Sequence, residues 1–163
     1  MKVPCIYKKT DSALRGNIGA ELEAVAEESP DGQLFFVPAF PQMNRTTEHG
    51  QQLIEGMPVA QSVFGQDPFE PVRNSDVAAI MQSRAAAHRY GGAGRTHPAE
   101  SPGIQICDAK SVEDIRRTGE VLRQNGKLRR WPDAQASRPS CPVCWVWNGP
   151  GQPGSPGWTS GCW

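Results

Sequence analysis

The sequence has no net charge to offer a partner: 17 Lys and Arg balance 17 Asp and Glu. That removes the electrostatic case for a nucleic-acid or anionic-membrane binder, since both need a surplus of cations on one face. It also lacks long hydrophobic runs. No window approaches the roughly 20 apolar residues of a membrane-spanning helix, and Lys2 is followed by no apolar segment of the kind a secretory leader carries. Tryptophan is missing from the first 130 residues, and charge is missing from the last 25. Trp131, Trp145, Trp147, Trp158 and Trp163 all lie in a tail of Cys, Pro, Gly and Ser in which charge stops at Arg138. That tail has no hydrophobic period, so neither a helix nor a strand face is expected in it.

The preceding residues do carry periodic signals, and at 163 residues the chain has room for one ordinary domain. Val3 to Tyr7 is a short β-favouring run. Leu14, Ile18, Leu22 and Val25 recur at helical spacing and predict a helix over 18–27, with Asn17 as its N-cap. Ser29-Pro30-Asp31-Gly32 stops it. Leu34 to Val37 is apolar throughout, the pattern of a strand buried on both faces of a parallel sheet. Strand, helix and strand make a βαβ unit. Gln51 to Gln61 reads as a hairpin turning at Glu55-Gly56. Ser75 is expected to cap a short helix through Met81, and Ile104 to Cys107 is a further buried strand. Ser111 and Asp114 form a capping-box pattern before a helix with Val112, Ile115, Gly119 and Leu122 on one face, closed by Asn125-Gly126. Cys5 and Cys107 read as buried thiols of a cytoplasmic protein. The predicted class is α/β: a partial parallel-sheet layered domain over residues 1–127 with a small hairpin insertion, then an irregular tail over 128–163.

Chemistry concentrates in Lys8-Lys9-Thr10-Asp11-Ser12-Ala13-Leu14-Arg15-Gly16-Asn17, between a strand and the following helix. Open α/β sheets place ligands there, at the carboxyl ends of strands. The residue types suit a polyhydroxy acid. Arg15 offers a fork of donors to a carboxylate. Asp11 accepts from a hydroxyl, and Ser12 and Asn17 donate or accept. Gly16 lets the backbone approach a ligand closely. A solvated loop with an Asn cap is the plainer alternative for the same residues.

Lys8 to Glu21, KKTDSALRGNIGAE, resembles the signature of the four-carbon acid sugar kinase family. Further blocks follow in family order: Phe36-Val37-Pro38-Ala39-Phe40-Pro41, Arg45-Thr46-Thr47, Gly56 with Pro58-Val59, Asp67-Pro68, Pro71-Val72, Ser75-Asp76-Val77, and Ile106-Cys107-Asp108-Ala109. The resemblance implies ATP-dependent phosphorylation of threonate, erythronate or oxo-tetronate, with the sugar acid held by the N-terminal domain. It implies substrate roles for Asp11, Ser12, Arg15, Gly16 and Asn17, and more weakly for Arg45, Thr46 and Thr47. It singles out no catalytic residue. Ala13 stands where the family has Thr, which removes a hydroxyl and up to one hydrogen bond, about 0.5–1.5 kcal/mol.

Family members begin with an acidic segment ahead of the Lys8 block and end in a nucleotide domain. The resemblance therefore leads us to expect part of a substrate site and an inactive chain when alone. ATP and Mg2+ would serve the full-length family, with neither expected to bind here. A four-carbon sugar acid is the expected partner; nucleic acid and membrane are not. A non-catalytic sugar-acid-binding module and a Cys/Trp-rich interaction protein are the alternatives. The codons of Trp131 to Pro142, read in a shifted frame, permit a glycine-containing peptide similar to the family's next segment. The tail is accordingly expected to be out-of-frame peptide. Cys141 and Cys144 are then read as accidental, since zinc wants four ligands and no second pair accompanies them.

Overall fold

The computed structural model describes residues 6–28, 32–82, 87–91, 102–125 and 143–146. In chain order these are β1 (Ile6–Lys9), α1 (Ile18–Glu27), β2 (Gln33–Val37), β3 (Arg45–Glu48), β4 (Gln51–Ile54), β5 (Met57–Pro58), α2 (Val77–Met81), β6 (Ala87–Gly91), β7 (Gly103–Cys107), α3 (Val112–Gln124) and β8 (Val143–Val146). The main sheet runs β1-β8-β2-β7-β6, and a second sheet runs β3-β4-β5.

The apolar runs become strands buried on both faces because helices cover each side. Every residue of β2 and of β7 is buried, and the two pair in parallel from Gln33↔Gly103 to Phe36↔Ile106. The period-2 alternation of a strand then sorts their side chains. Leu34, Phe36, Ile104 and Ile106 pack on one face with Ile18, Leu22 and Ala26 of α1 and Val77 and Met81 of α2. Phe35, Val37 and Cys107 pack on the other with Leu122 and Ile115 of α3. Each fully buried Leu, Ile or Phe contributes about 1.5–3 kcal/mol relative to exposure. The α/β class is the observed one, with β2, β7 and β6 paired in parallel inside a mixed sheet.

Helix boundaries follow local chemistry. α1 spans the predicted residues, and Asn17 occupies its N-cap position without a side-chain capping bond. α3 opens on the predicted capping box, Ser111 accepting from Asp114 N–H while the Asp114 carboxylate accepts from Ser111 N–H. Two expectations shift. Asp76 caps α2, accepting from Ala79 N–H. Ser75 instead accepts from Ala60 N–H at 3.1 Å. Asn125 is the C-cap of α3, and Gly126 lies outside the described residues. Val112 is 43% exposed, so the buried face of α3 begins at Ile115.

The expected hairpin is a three-stranded ribbon. Both of its turns are two-residue loops, since Glu48 pairs with Gln51 and Ile54 with Met57. His49 and Gly50 have φ of 52° and 76°, and Glu55 and Gly56 have 53° and 79°. Positive φ at both central residues is the type I′ turn that matches strand twist.

The tail departs from expectation at Val143–Val146. This segment is β8, antiparallel to β1 on one side and to β2 on the other. β1 and β2 therefore run in the same direction with a reversed strand between them. An antiparallel segment can enter such a slot because every backbone N–H and C=O finds a partner whichever way the strand runs. The predicted strand start at Val3 to Cys5 and the remainder of the 128–163 tail lie outside the described residues. Among the described residues, no helix is long and apolar enough to cross a membrane.

Candidate functional site

The loop after β1 leaves the sheet at the carboxyl end of that strand, beside the loops that follow β2 and β7. Its shape is set by a tight turn in which Leu14 N–H donates to the Asp11 carbonyl at 3.0 Å. Leu14 takes φ +63°, a conformation that costs an L-residue about 1–2 kcal/mol. Burial offsets that cost: Leu14 is 2% exposed and lies in the core with Ile18 and Leu22. Ala13 points inward too, at 0% exposure, against Ile54, Val59 and Val72. The Thr-to-Ala departure thus falls in an apolar pocket and not on a surface that meets a ligand. With residues 12, 13 and 14 all buried, Ser12 at 8% exposure, Asp11, Arg15, Gly16 and Asn17 remain outside.

Arg15 and Asp11 pair with each other. Arg15 Nε donates to Asp11 Oδ2 at 2.9 Å and its NH2 to Asp11 Oδ1 at 3.3 Å, while Arg15 N–H donates to Asp11 Oδ2 at 3.2 Å. The third nitrogen, NH1, reaches Asp67 Oδ2 at 3.4 Å. Asp67 is held in turn by the backbone N–H groups of Phe69 and Glu70. Burial opposes ionisation of Asp11, but the hydrogen bonds and charge of Arg15 outweigh it and lower the Asp11 pKa. The same partners, Asp11 foremost, raise that of Arg15.

Arg45, on β3, enters from the neighbouring ribbon. Its NH1 donates to Ser12 Oγ, and its guanidinium sits 5.2 Å from the centroid of Phe64. Arg15 lies 5.3 Å from the same ring. Two cations therefore share one aromatic ring, an arrangement each ring contact favours by about 0.5–1 kcal/mol where exposed and more where desolvated. Arg45 Nε is buried and has no hydrogen-bond partner.

Strand alternation separates the three residues Arg45, Thr46 and Thr47. Thr47 is 0% exposed. Its hydroxyl donates to Gln52 Oε1 at 2.8 Å, and Gln52 Nε2 donates to the Ser12 carbonyl at 3.2 Å. Thr47 has no surface to give a ligand; it holds the loop through Gln52. Thr46 lies on the other face, 3.5 Å from Glu48, whose carboxylate pairs with Lys110 at 2.5 Å. Gly16 adopts φ +86° with open space where a Cβ would stand, and Asn17 is exposed. Lys8 pairs with Glu21 of α1 at 2.5 Å.

Phe64 joins the site without a sequence signal of its own, and Asp67, part of the Asp67-Pro68 block, joins it without having been assigned a site role. Neither lies on a periodic element; only the fold carries the 62–70 loop to Arg15 and Arg45. Among the described residues, no group of three or more His, Cys, Asp or Glu could hold a metal ion.

Residues 2–136 match the family described as the sugar-binding N-terminal domain. The D-threonate kinase of Salmonella typhimurium is 35% identical over 124 residues, covering 69% of this chain and 29% of that enzyme. The D-erythronate kinase of Heliobacterium modesticaldum is 37% identical over 79 residues, 48% of this chain and 18% of that enzyme. A crystal structure of a domain of unknown function from Bordetella bronchiseptica, a domain-swapped dimer with bound citrate, aligns with a TM-score of 0.61 at 29% identity. That alignment covers 74% of this chain and 32% of the other. The chain thus spans less than a third of the length of these relatives.

Proposed function

The chain belongs to the four-carbon acid sugar kinase family, in its sugar-binding N-terminal domain, and on that premise we propose that the Asp11–Asn17 loop and Arg45 bind a sugar acid of the threonate, erythronate or oxo-tetronate class for ATP-dependent phosphorylation. The supporting observation is the convergence of Arg15 and Arg45 on Phe64 beside Asp11 and Ser12. Cations supply what a carboxylate needs, and an ionised aspartate and a hydroxyl supply what sugar hydroxyls need. In this reading residues 1–127 form the sugar-acid unit, to which β8 lends a strand.

Phosphoryl transfer requires the acceptor hydroxyl to be held in line with a metal-bound triphosphate. ATP with Mg2+ would supply the phosphoryl group in the complete kinase. The described acidic residues do not form a metal-holding set. What these residues contribute is orientation of the acceptor. Calorimetric titration of the protein with D-threonate and D-erythronate tests the reading. The expected result is saturable binding that weakens at least tenfold in Asp11→Asn. Heats no larger than those of a neutral hexose would overturn it.

A further inference from the structure

We infer that the two arginines have different tasks, Arg45 receiving the carboxylate of the acid and Arg15 acting as a positioning residue locked by Asp11 and Asp67. The inference rests on the sugar-acid reading above and assigns the acid's orientation within that site.

All three guanidinium nitrogens of Arg15 already face protein carboxylates: Nε and NH2 meet Asp11, and NH1 meets Asp67. A carboxylate is gripped by two parallel N–H groups of one guanidinium edge. One edge of Arg15 is filled by Asp11, and the other has its NH1 turned to Asp67. The cluster holds two carboxylates against one guanidinium, so an incoming anion meets a surplus negative charge there. Arg45 is placed differently. Among the described residues it has no carboxylate partner; NH1 meets the neutral Ser12 hydroxyl, and its buried Nε donor has no acceptor. With no opposite charge beside it among the described residues, the Arg45 guanidinium offers an arriving carboxylate an unneutralised partner. Phe64, 5.3 Å from the Arg15 guanidinium and 5.2 Å from that of Arg45, is the ring the two ends of the site share. Asp11 is held by Arg15 in one orientation.

This division predicts opposite selectivities. Arg45→Ala should weaken D-threonate binding at least tenfold and leave the neutral polyol D-threitol within threefold of its wild-type affinity. Arg15→Lys, which keeps the charge but loses the fork, should weaken both ligands by a similar factor, because it disturbs Asp11. The reverse pattern, Arg15→Lys abolishing discrimination between acid and polyol while Arg45→Ala preserves it, overturns the assignment. The Asp11 carboxyl, followed by carbon-detected NMR without ligand, supplies an independent readout. Its pKa should rise in Arg15→Lys and stay unchanged in Arg45→Ala; a rise confined to Arg45→Ala also overturns the assignment. Failure of the wild-type protein to bind D-threonate would instead remove the sugar-acid reading, while the ligand-free titration would still decide which arginine holds Asp11.

Discussion

The side chain of Gln52, fully buried in β4, accepts from the Thr47 hydroxyl and donates to the Ser12 carbonyl. One amide therefore ties the three-stranded ribbon to the loop that carries Asp11 and Arg15. Gln52→Leu would leave both partners buried without a bond. Each unsatisfied group costs about 1–3 kcal/mol. Urea unfolding should show a loss in that range or above it, and the variant's sugar-acid affinity should fall as the loop loosens.

Two glycines of the same region separate steric from conformational cost. A Cβ on Gly19 would overlap the Met81 carbonyl where α1 crosses α2. Gly19→Ala should therefore force the helices apart and cost about 1–3 kcal/mol or more. Gly16 has open space but φ +86°, so Gly16→Ala should cost about 1–2 kcal/mol through backbone strain alone. Thermal unfolding of the two variants measures the difference. Gly19→Ala should also broaden methyl NMR signals of α1 and α2, which Gly16→Ala should leave sharp.

Acid should weaken the fold through Asp11 and Asp114. Burial works against ionisation of both. Arg15 outweighs it at Asp11, and at Asp114 the backbone N–H of Lys110 and the Ser111 contacts do so, leaving both pKa values below the ordinary 3.8. A depressed folded-state pKa means that the unfolded chain binds the proton more readily. The stabilisation is thus fully present above 3.8 and is lost as pH falls through the lower folded values. Denaturant midpoints should be flat with respect to these two groups from pH 7 to 5 and decline below 4. Asp11→Asn and Asp114→Asn should each reduce that decline.

Cys107 should be chemically silent in the folded protein. It is 0% exposed, and burial, with Asp108 beside it, pushes its thiol pKa far up. Thiolate is the reactive form. Alkylation under native conditions followed by peptide mass spectrometry should leave Cys107 unmodified, and alkylation in denaturant should label it.

The backbone amides of Val143 to Val146 should resist hydrogen exchange to the degree seen in β1, since β8 is paired on both sides. Rapid exchange there would show that the sheet closes without it. The nucleotide sequence of the gene tests the out-of-frame origin proposed for the tail. A shifted frame after Arg130 should encode the glycine-containing continuation, whatever strand the translated peptide forms.

Local physics made much of the fold legible in advance. The helical spacing of Ile18, Leu22 and Val25, the apolar runs at Leu34 and Ile104, the Ser111–Asp114 box and the Glu55-Gly56 turn are decided within a few residues, and all are present. The motif around Asp11 to Asn17 also fixed where polar chemistry would gather, because a strand-to-helix loop must lie at the carboxyl end of its strand. The sequence by itself did not determine what those polar groups would bond to. Arg15 reads as a free fork along the chain, yet in space it meets Asp67, 52 positions away, as well as Asp11. Arg45 and Thr47, two residues apart, look equivalent, yet one faces Phe64 and the other is sealed against Gln52. The tail offers no period at Val143, yet an unfilled gap between β1 and β2 presents two rows of unpaired backbone groups. Backbone hydrogen bonding accepts a strand with little regard to its side chains, so tertiary structure alone decided that β8 would occupy that slot.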